Sequence, residues 1–123
     1  ASMSAPGDLS LAAAQDIREI AAFYATIRPP LARQFLEHIE RVRQSIADMP
    51  ESFDPVTSSH RRAFIPRFPH VVYFRIETNR IVLLAVLHSA RSAQAWKQRC
   101  LTTRGDRITT ISFPPSAPGT TAA

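Results

Sequence analysis

The residues best suited to chemistry lie in the second half of the chain: Arg61, Arg62, Arg67, Arg75, His88 and Arg91, with Tyr73 and Trp96 among them. Such a set can cleave RNA without a metal. A base takes the 2′-hydroxyl proton, an acid protonates the leaving oxygen, and arginines stabilise the charged phosphorane. His88 suits either proton-transfer role because its intrinsic pKa lies near neutrality. The same histidine can equally cap a strand end or hydrogen-bond a backbone carbonyl. Arg61 and Arg62 also fit a solvated junction between loop and strand, and Tyr73 and Trp96 fit packing as well as base stacking. Other chemistry has no support. His38, His60, His70 and His88 lack ligand-like spacing and Cys100 has no companion, so neither a metal nor another cofactor is expected. With glycine only at positions 7, 105 and 119, no phosphate-cradling loop is present.

Charge points to an acidic partner. The chain of 123 residues carries 15 Lys+Arg against 10 Asp+Glu, and Lys97 is the only lysine. Residues 1–55 hold five arginines against eight acids, a net −3. Residues 56–104 hold nine basic residues against the single acid Glu77, a net +8. A stretch so basic attracts nucleic acid or an acidic protein segment, and the arginine fork pairs with phosphate and carboxylate alike. A well-solvated basic surface is the plainer reading. Apolar residues make up 45% and charged residues 20%, as in soluble globular proteins. No apolar run is long enough to span a bilayer, no secretory leader is evident, and one cysteine fits a reducing cytoplasm.

These side chains need a frame. Ser10 is a plausible N-cap for a helix over about 10–25, with Ala13, Ile17, Ile20, Ala21 and Tyr24 forming one stripe. Pro29 and Pro30 break it and suit the first turn of a second helix, about 30–48. That helix presents Leu31, Phe35, Leu36, Ile39, Val42 and Ile46, and Met49-Pro50 stops it. A proline break between two amphipathic helices predicts an antiparallel hairpin. Residues 50–60 read as a loop and 61–65 as a strand beside Pro66 and Pro69.

Residues 71–77 and 81–88 are the firmest strands, joined at Thr78-Asn79-Arg80. Strict alternation places Val72, Phe74 and Ile76 on one face and Val71, Tyr73 and Arg75 on the other. In the second strand Ile81, Leu83, Ala85 and Leu87 oppose Val82, Leu84 and Val86, so both faces are apolar and both need cover. Either a partner or the C-terminal segment supplies the second cover. A short helix is predicted over 92–99, and Thr, Pro, Ser and Ala content marks 101–123 as a flexible tail.

In order and spacing these residues resemble the ParE/RelE toxin superfamily of type II toxin–antitoxin (plasmid stabilisation) systems, on the ParE side. Asp16-Ile17-Arg18-Glu19-Ile20 with Tyr24, then Ala32, Phe35-Leu36, Ile39 and the Pro50 stop, resemble the opening of such toxins. The most specific match is 67–75, then 81–91, where leucine and histidine end a strand, an arginine follows three places later, and Trp96 closes the run. The similarity covers about 9–99.

The resemblance implies an α+β fold: an N-terminal helical hairpin packed on a small twisted antiparallel sheet, then a short C-terminal helix. Residues 1–100 would be the single toxin domain. It also implies a cognate ParD-like antitoxin whose C-terminal segment wraps the toxin in a hetero-oligomer, with DNA gyrase as the target and no catalysis. The alternatives are a RelE-like nuclease that cuts mRNA at the ribosome, using His88, Arg67, Arg75 and Arg91, or a non-toxic antitoxin-binding module. Candidate partner-binding residues are Arg61, Arg62, Arg67 and Arg91, with Tyr73, Val82, Leu84, Val86 and Trp96.

Some residues depart from the family pattern. Trp96 stands where a nuclease usually has an ionisable tyrosine or histidine, which weakens the nuclease reading. Residues 5–9 make a poor strand, so the family's first edge strand is expected to be short or missing. Leu11 replaces the usual helix-starting proline.

Overall fold

In the computed structural model, which describes residues 7–78, 80–101 and 108–109, Ser10 caps the first helix. Its Oγ accepts from the Ala13 N–H at 3.0 Å, and α1 runs Leu11–Ile27. Arg28 then takes an extended conformation, as a residue before proline must, and α2 runs Pro29–Asp48 with proline in its first turn. The two helices form the predicted hairpin. Ala13 and Ile17 from α1 and Phe35, Ile39, Val42 and Ile46 from α2 face the sheet. A 3-10 turn at Pro50–Ser52 and the two-residue strand β2 (Asp54–Pro55) occupy the predicted loop. Three longer strands follow: β3 (His60–Phe64), β4 (His70–Ile76) and β5 (Ile81–His88). Helix α3 (Ser89–Trp96) starts directly after β5, three residues earlier than predicted, and continues as a wider turn over Lys97–Leu101.

The first strand is present, and its place differs from expectation. β1 (Gly7–Ser10) pairs in parallel with β5, Gly7 opposite Ile81 and Leu9 opposite Leu83. The sheet order is β2-β3-β4-β5-β1-β6, where β6 (Ile108–Thr109) pairs antiparallel with β1. The sheet is therefore mixed, and among the described strands β1 is not an edge. Apart from Leu101 and β6, the tail predicted to be flexible lies outside the described residues.

A β-bulge changes which residues share a face. Tyr73 lies opposite Ala85 but Phe74 lies opposite Leu83, so Leu84 is an extra residue on β5. Ile81, Leu83 and Val86 consequently point to the helices, whereas Val82, Leu84 and Ala85 point to the outer face. Strict alternation had put Val86 with Val82 and Leu84 and had put Ala85 with Leu83. The bulge corrects both.

The bulge is stitched to the start of α1. Beyond Leu83, β1 has turned into helix and leaves the β5 edge without a strand partner. Ser10 Oγ donates to the Leu84 carbonyl at 3.3 Å, and Asp16 Oδ2 accepts the Val86 N–H at 2.9 Å. Asp16 also holds Arg99 at 2.8 Å, which ties the end of the α3 segment to α1. Burial raises the Asp16 pKa, opposed by these hydrogen bonds.

The second cover that the two-sided β5 requires comes from the chain itself. On the outer face Trp96 of α3 packs with Val71, Tyr73, Val82, Leu84 and Ala85. No helix of the described residues is long and apolar enough to cross a membrane.

Candidate partner-binding site

The nuclease set is split: Arg75 stands apart from His88, whose end of the ladder adjoins the segments carrying Arg67 and Arg91. His88 lies opposite His70 at one end of the β4–β5 ladder, and Arg75 lies five residues along β4, roughly 16 Å away at the rise of a strand. Arg75 is engaged by Glu77 through Nε at 2.9 Å and Nη2 at 2.7 Å. Arg80 Nε holds the other Glu77 oxygen at 2.8 Å, so this carboxylate clamps the hairpin end. Arg80 first, and Arg75 after it, keep the Glu77 pKa low despite some burial. His88 Nδ1 accepts the Ala90 N–H at 3.1 Å and so caps α3, in keeping with its structural reading. Arg91 is exposed in the first turn of that helix.

The predicted partner-binding residues divide between surface and interior. Arg61 reaches back to the loop, donating to the Phe53 carbonyl at 2.6 Å and more weakly to Glu51. Arg62 lies over the Phe64 ring, 5.4 Å from its centroid, with Asp54 at 3.6 Å. Tyr73 is fully buried, its ring parallel to Trp96 at 5.7 Å. Val82, Leu84 and Val86 are buried too, the first two under α3 and Val86 beneath the helical hairpin. Tyr73, Val82, Leu84, Val86 and Trp96 are thus all buried in this structure. The apolar pattern that nominated them describes the protein's own core.

Arg67 is different. The β3–β4 connection closes with the Phe68 N–H donating to the Ile65 carbonyl at 3.3 Å. Pro66 and Arg67 fill its two middle positions, and Arg67 has φ 71°, the only positive φ outside glycine among the described residues. This is the pattern of a type II turn, which asks for proline second and glycine or asparagine third. An arginine in that left-handed position costs roughly 1–2 kcal/mol. Strain of this kind gathers where a side chain has a task.

That turn forms one wall of a groove of about 780 Å³, and α2 forms the other. Leu31, Val42, Phe53, Phe64 and Phe68 give it an apolar floor, while His38, Arg41 and Arg67 line it with basic groups. Phe64 is 57% exposed although it sits on a strand. His38 Nδ1 donates to the Gln34 carbonyl at 2.8 Å, and its ring meets Phe68 edge-on. Apolar floor and cationic rim together suit an acidic segment with apolar anchors. Of the residues nominated from sequence only Arg67 lines this groove. His38, Arg41 and Phe64 gave no signal there, because the groove forms only when α2 meets the turn.

Beneath the groove, His70 packs among Tyr24, Phe35 and His88. Its pKa is lowered by burial and then by the charge of His88. Among the described residues no cluster of three or more His, Cys, Asp or Glu side chains could hold a metal ion.

Comparison with known proteins agrees with this architecture. The family model described as the ParE toxin of the type II toxin–antitoxin system parDE matches residues 8–93. No curated protein matches the chain. Among solved structures, a chain of the chromosomal ParDE toxin–antitoxin system from P. aeruginosa superposes with a TM-score of 0.62 at 18% identity. The match covers 71% of this chain and 98% of that one, a likeness of fold. The chain thus belongs to the ParE toxins of type II toxin–antitoxin systems.

Proposed function

We propose that the protein poisons DNA gyrase by binding, without catalysis of its own, and that an acidic antitoxin segment seated in the groove between α2 and the β3–β4 turn neutralises it. One observation supports the non-enzymatic reading: the proton-transfer candidate and one of its phosphate-holding partners stand apart, and each is engaged. His88 caps α3, and Arg75 is held by Glu77 a strand's length away. The groove supports the partner reading through its chemistry, since Arg41, Arg67 and His38 border an apolar floor. The ParDE system that shares this fold is consistent with a ParD-like antitoxin whose C-terminal segment engages the toxin. Such a protein would act in the cytoplasm, where gyrase and its antitoxin meet it.

Purified gyrase supercoiling, run beside ribosome-dependent mRNA cleavage, tests the target. Lost supercoiling with trapped cleaved DNA and intact mRNA is the expected result. Cut mRNA with untouched gyrase would transfer the chain to the nuclease alternative. For the partner, Arg67→Ala and Arg41→Ala are expected to weaken cognate antitoxin binding by about tenfold each, the loss of one charge-assisted contact. Unchanged affinity in both would remove the groove from the interface.

A further inference from the structure

Around Trp96, the outer face holds three buried hydrogen-bonding atoms without a partner: His60 Nε2, Arg62 Nε and the Tyr73 hydroxyl. Register makes them neighbours. Arg62 lies directly opposite Tyr73, and His60 sits two residues along β3, opposite Arg75. Their side chains therefore share one face of the sheet, at spacings of roughly 5–8 Å. Trp96 covers two of the three, stacked on Tyr73 and 6.1 Å from the His60 ring. His60 is 8% exposed and Tyr73 is fully buried.

All three atoms can donate. Thr57 Oγ1 accepts the N–H groups of Ser59 and His60, which leaves its own proton to donate to His60 Nδ1 at 2.9 Å. The Ser59 hydroxyl also lies 3.2 Å from that nitrogen. With Nδ1 accepting, the neutral ring carries its hydrogen on Nε2. Burial and then Arg75 lower the His60 pKa, which favours that neutral form. The arginine Nε is a donor always, and the phenol donates readily. The neighbouring carboxylates are committed elsewhere: Glu77 holds Arg75 and Arg80, while Asp54 reaches the outer end of Arg62 at 3.6 Å. Buried donors without acceptors are rare in folded proteins because each forfeits its hydration. One water accepts only two hydrogen bonds, whereas one oxyanion has lone pairs for all three and balances the guanidinium.

We propose that His60, Arg62 and Tyr73 form a seat for a small oxyanion, a phosphate or a carboxylate, on the outer face of the sheet. Arg62 marks its entrance, since its side chain is about a third exposed and only loosely held by Asp54. This site assumes nothing about gyrase or the antitoxin.

The full chain is titrated with inorganic phosphate, and in a parallel arm with acetate, at constant ionic strength. The readout is the His60 Nε2–H resonance. A saturable shift is expected with at least one of them, and the arm that saturates identifies the class of anion. Tyr73→Phe removes only an unpartnered hydroxyl, so the variant is expected to fold, and its affinity should fall by about tenfold. As a second readout, the anion should raise the Tm of the parent more than that of Tyr73→Phe at the same concentration. No saturation in either arm, or saturation unaltered in both Tyr73→Phe and Arg62→Ala, would overturn the proposal and assign the cluster to water.

Discussion

Replacing Arg67 with glycine separates the strain in its backbone from the purpose of its side chain. Arg67 holds φ 71° at the third position of the β3–β4 turn. Glycine removes a left-handed penalty of roughly 1–2 kcal/mol but adds unfolded-state freedom that costs about 0.5–1 kcal/mol. The net gain is about 0.5–1 kcal/mol, on the order of 2–6 °C in Tm for a domain of this size. Arg67→Ala is the necessary control, because alanine keeps the Cβ that creates the penalty while losing the guanidinium. Thermal melts should rank the glycine variant above the parent and place the alanine variant beside it. Both variants should lose antitoxin affinity together, since both lack the Arg67 guanidinium at the groove. An alanine variant as stable as the glycine one, or a glycine variant less stable than the parent, would refute the assignment of strain to this residue.

Three further outcomes follow from the packing. Asp16→Ala leaves the Val86 N–H and Arg99 without their acceptor and should cost about 2–3 kcal/mol in denaturant unfolding, whereas Asp16→Asn keeps an acceptor and should cost markedly less. His70 has a folded pKa below its ordinary 6.5. The unfolded chain therefore binds the extra proton first, so the stability His70 contributes is full above 6.5 and is lost as pH falls from there through the folded value. His70→Leu should flatten that acid-side slope, by at most about 1.4 kcal/mol per pH unit, when unfolding is measured from pH 7 to 5. Trp96→Ala strips the roof from Tyr73, Val82 and Leu84 and should cost about 3–5 kcal/mol, with new binding of a hydrophobic dye to the folded protein.

Much of this fold can be read from residue types. The cap at Ser10, the proline start of α2, the helical stripes and the limits of β5 all follow from local chemistry. β1 was hard to foresee because it is four residues long, starts Gly7-Asp8, and exists only by pairing with β5. The bulge was hidden for another reason. On a strand apolar on both faces, slipping the phase by one residue exchanges one hydrophobe for another, so no polar residue marks the change. Val86 was misplaced on that account, and with it went part of the expected partner surface. His88 was read with two roles open, and only the position of α3 could choose the cap. Asp16 enters the sequence reading only as the first residue of the family-like opening Asp16-Ile17-Arg18-Glu19-Ile20. Its task depends on two groups far away in sequence, and nothing local announces it.

The parallel pairing of β1 bears on the order in which the protein can assemble during synthesis. Ser10 meets Leu84 across 74 residues of chain, and Asp16 meets Val86 across 70. At about 5–20 residues per second, a ribosome needs roughly 4–15 s to make the partner after the N-terminal segment has emerged. Through that interval the hairpin of α1 and α2 has no sheet to cover its apolar stripe. The first of these strands to be made is thus among the last to be placed, because its pairing with β5 is a long-range contact. Newly made chains remain without a finished outer face or groove until the β4–β5 hairpin has emerged. An antitoxin that needs either surface can engage only a toxin whose β4–β5 hairpin has already emerged.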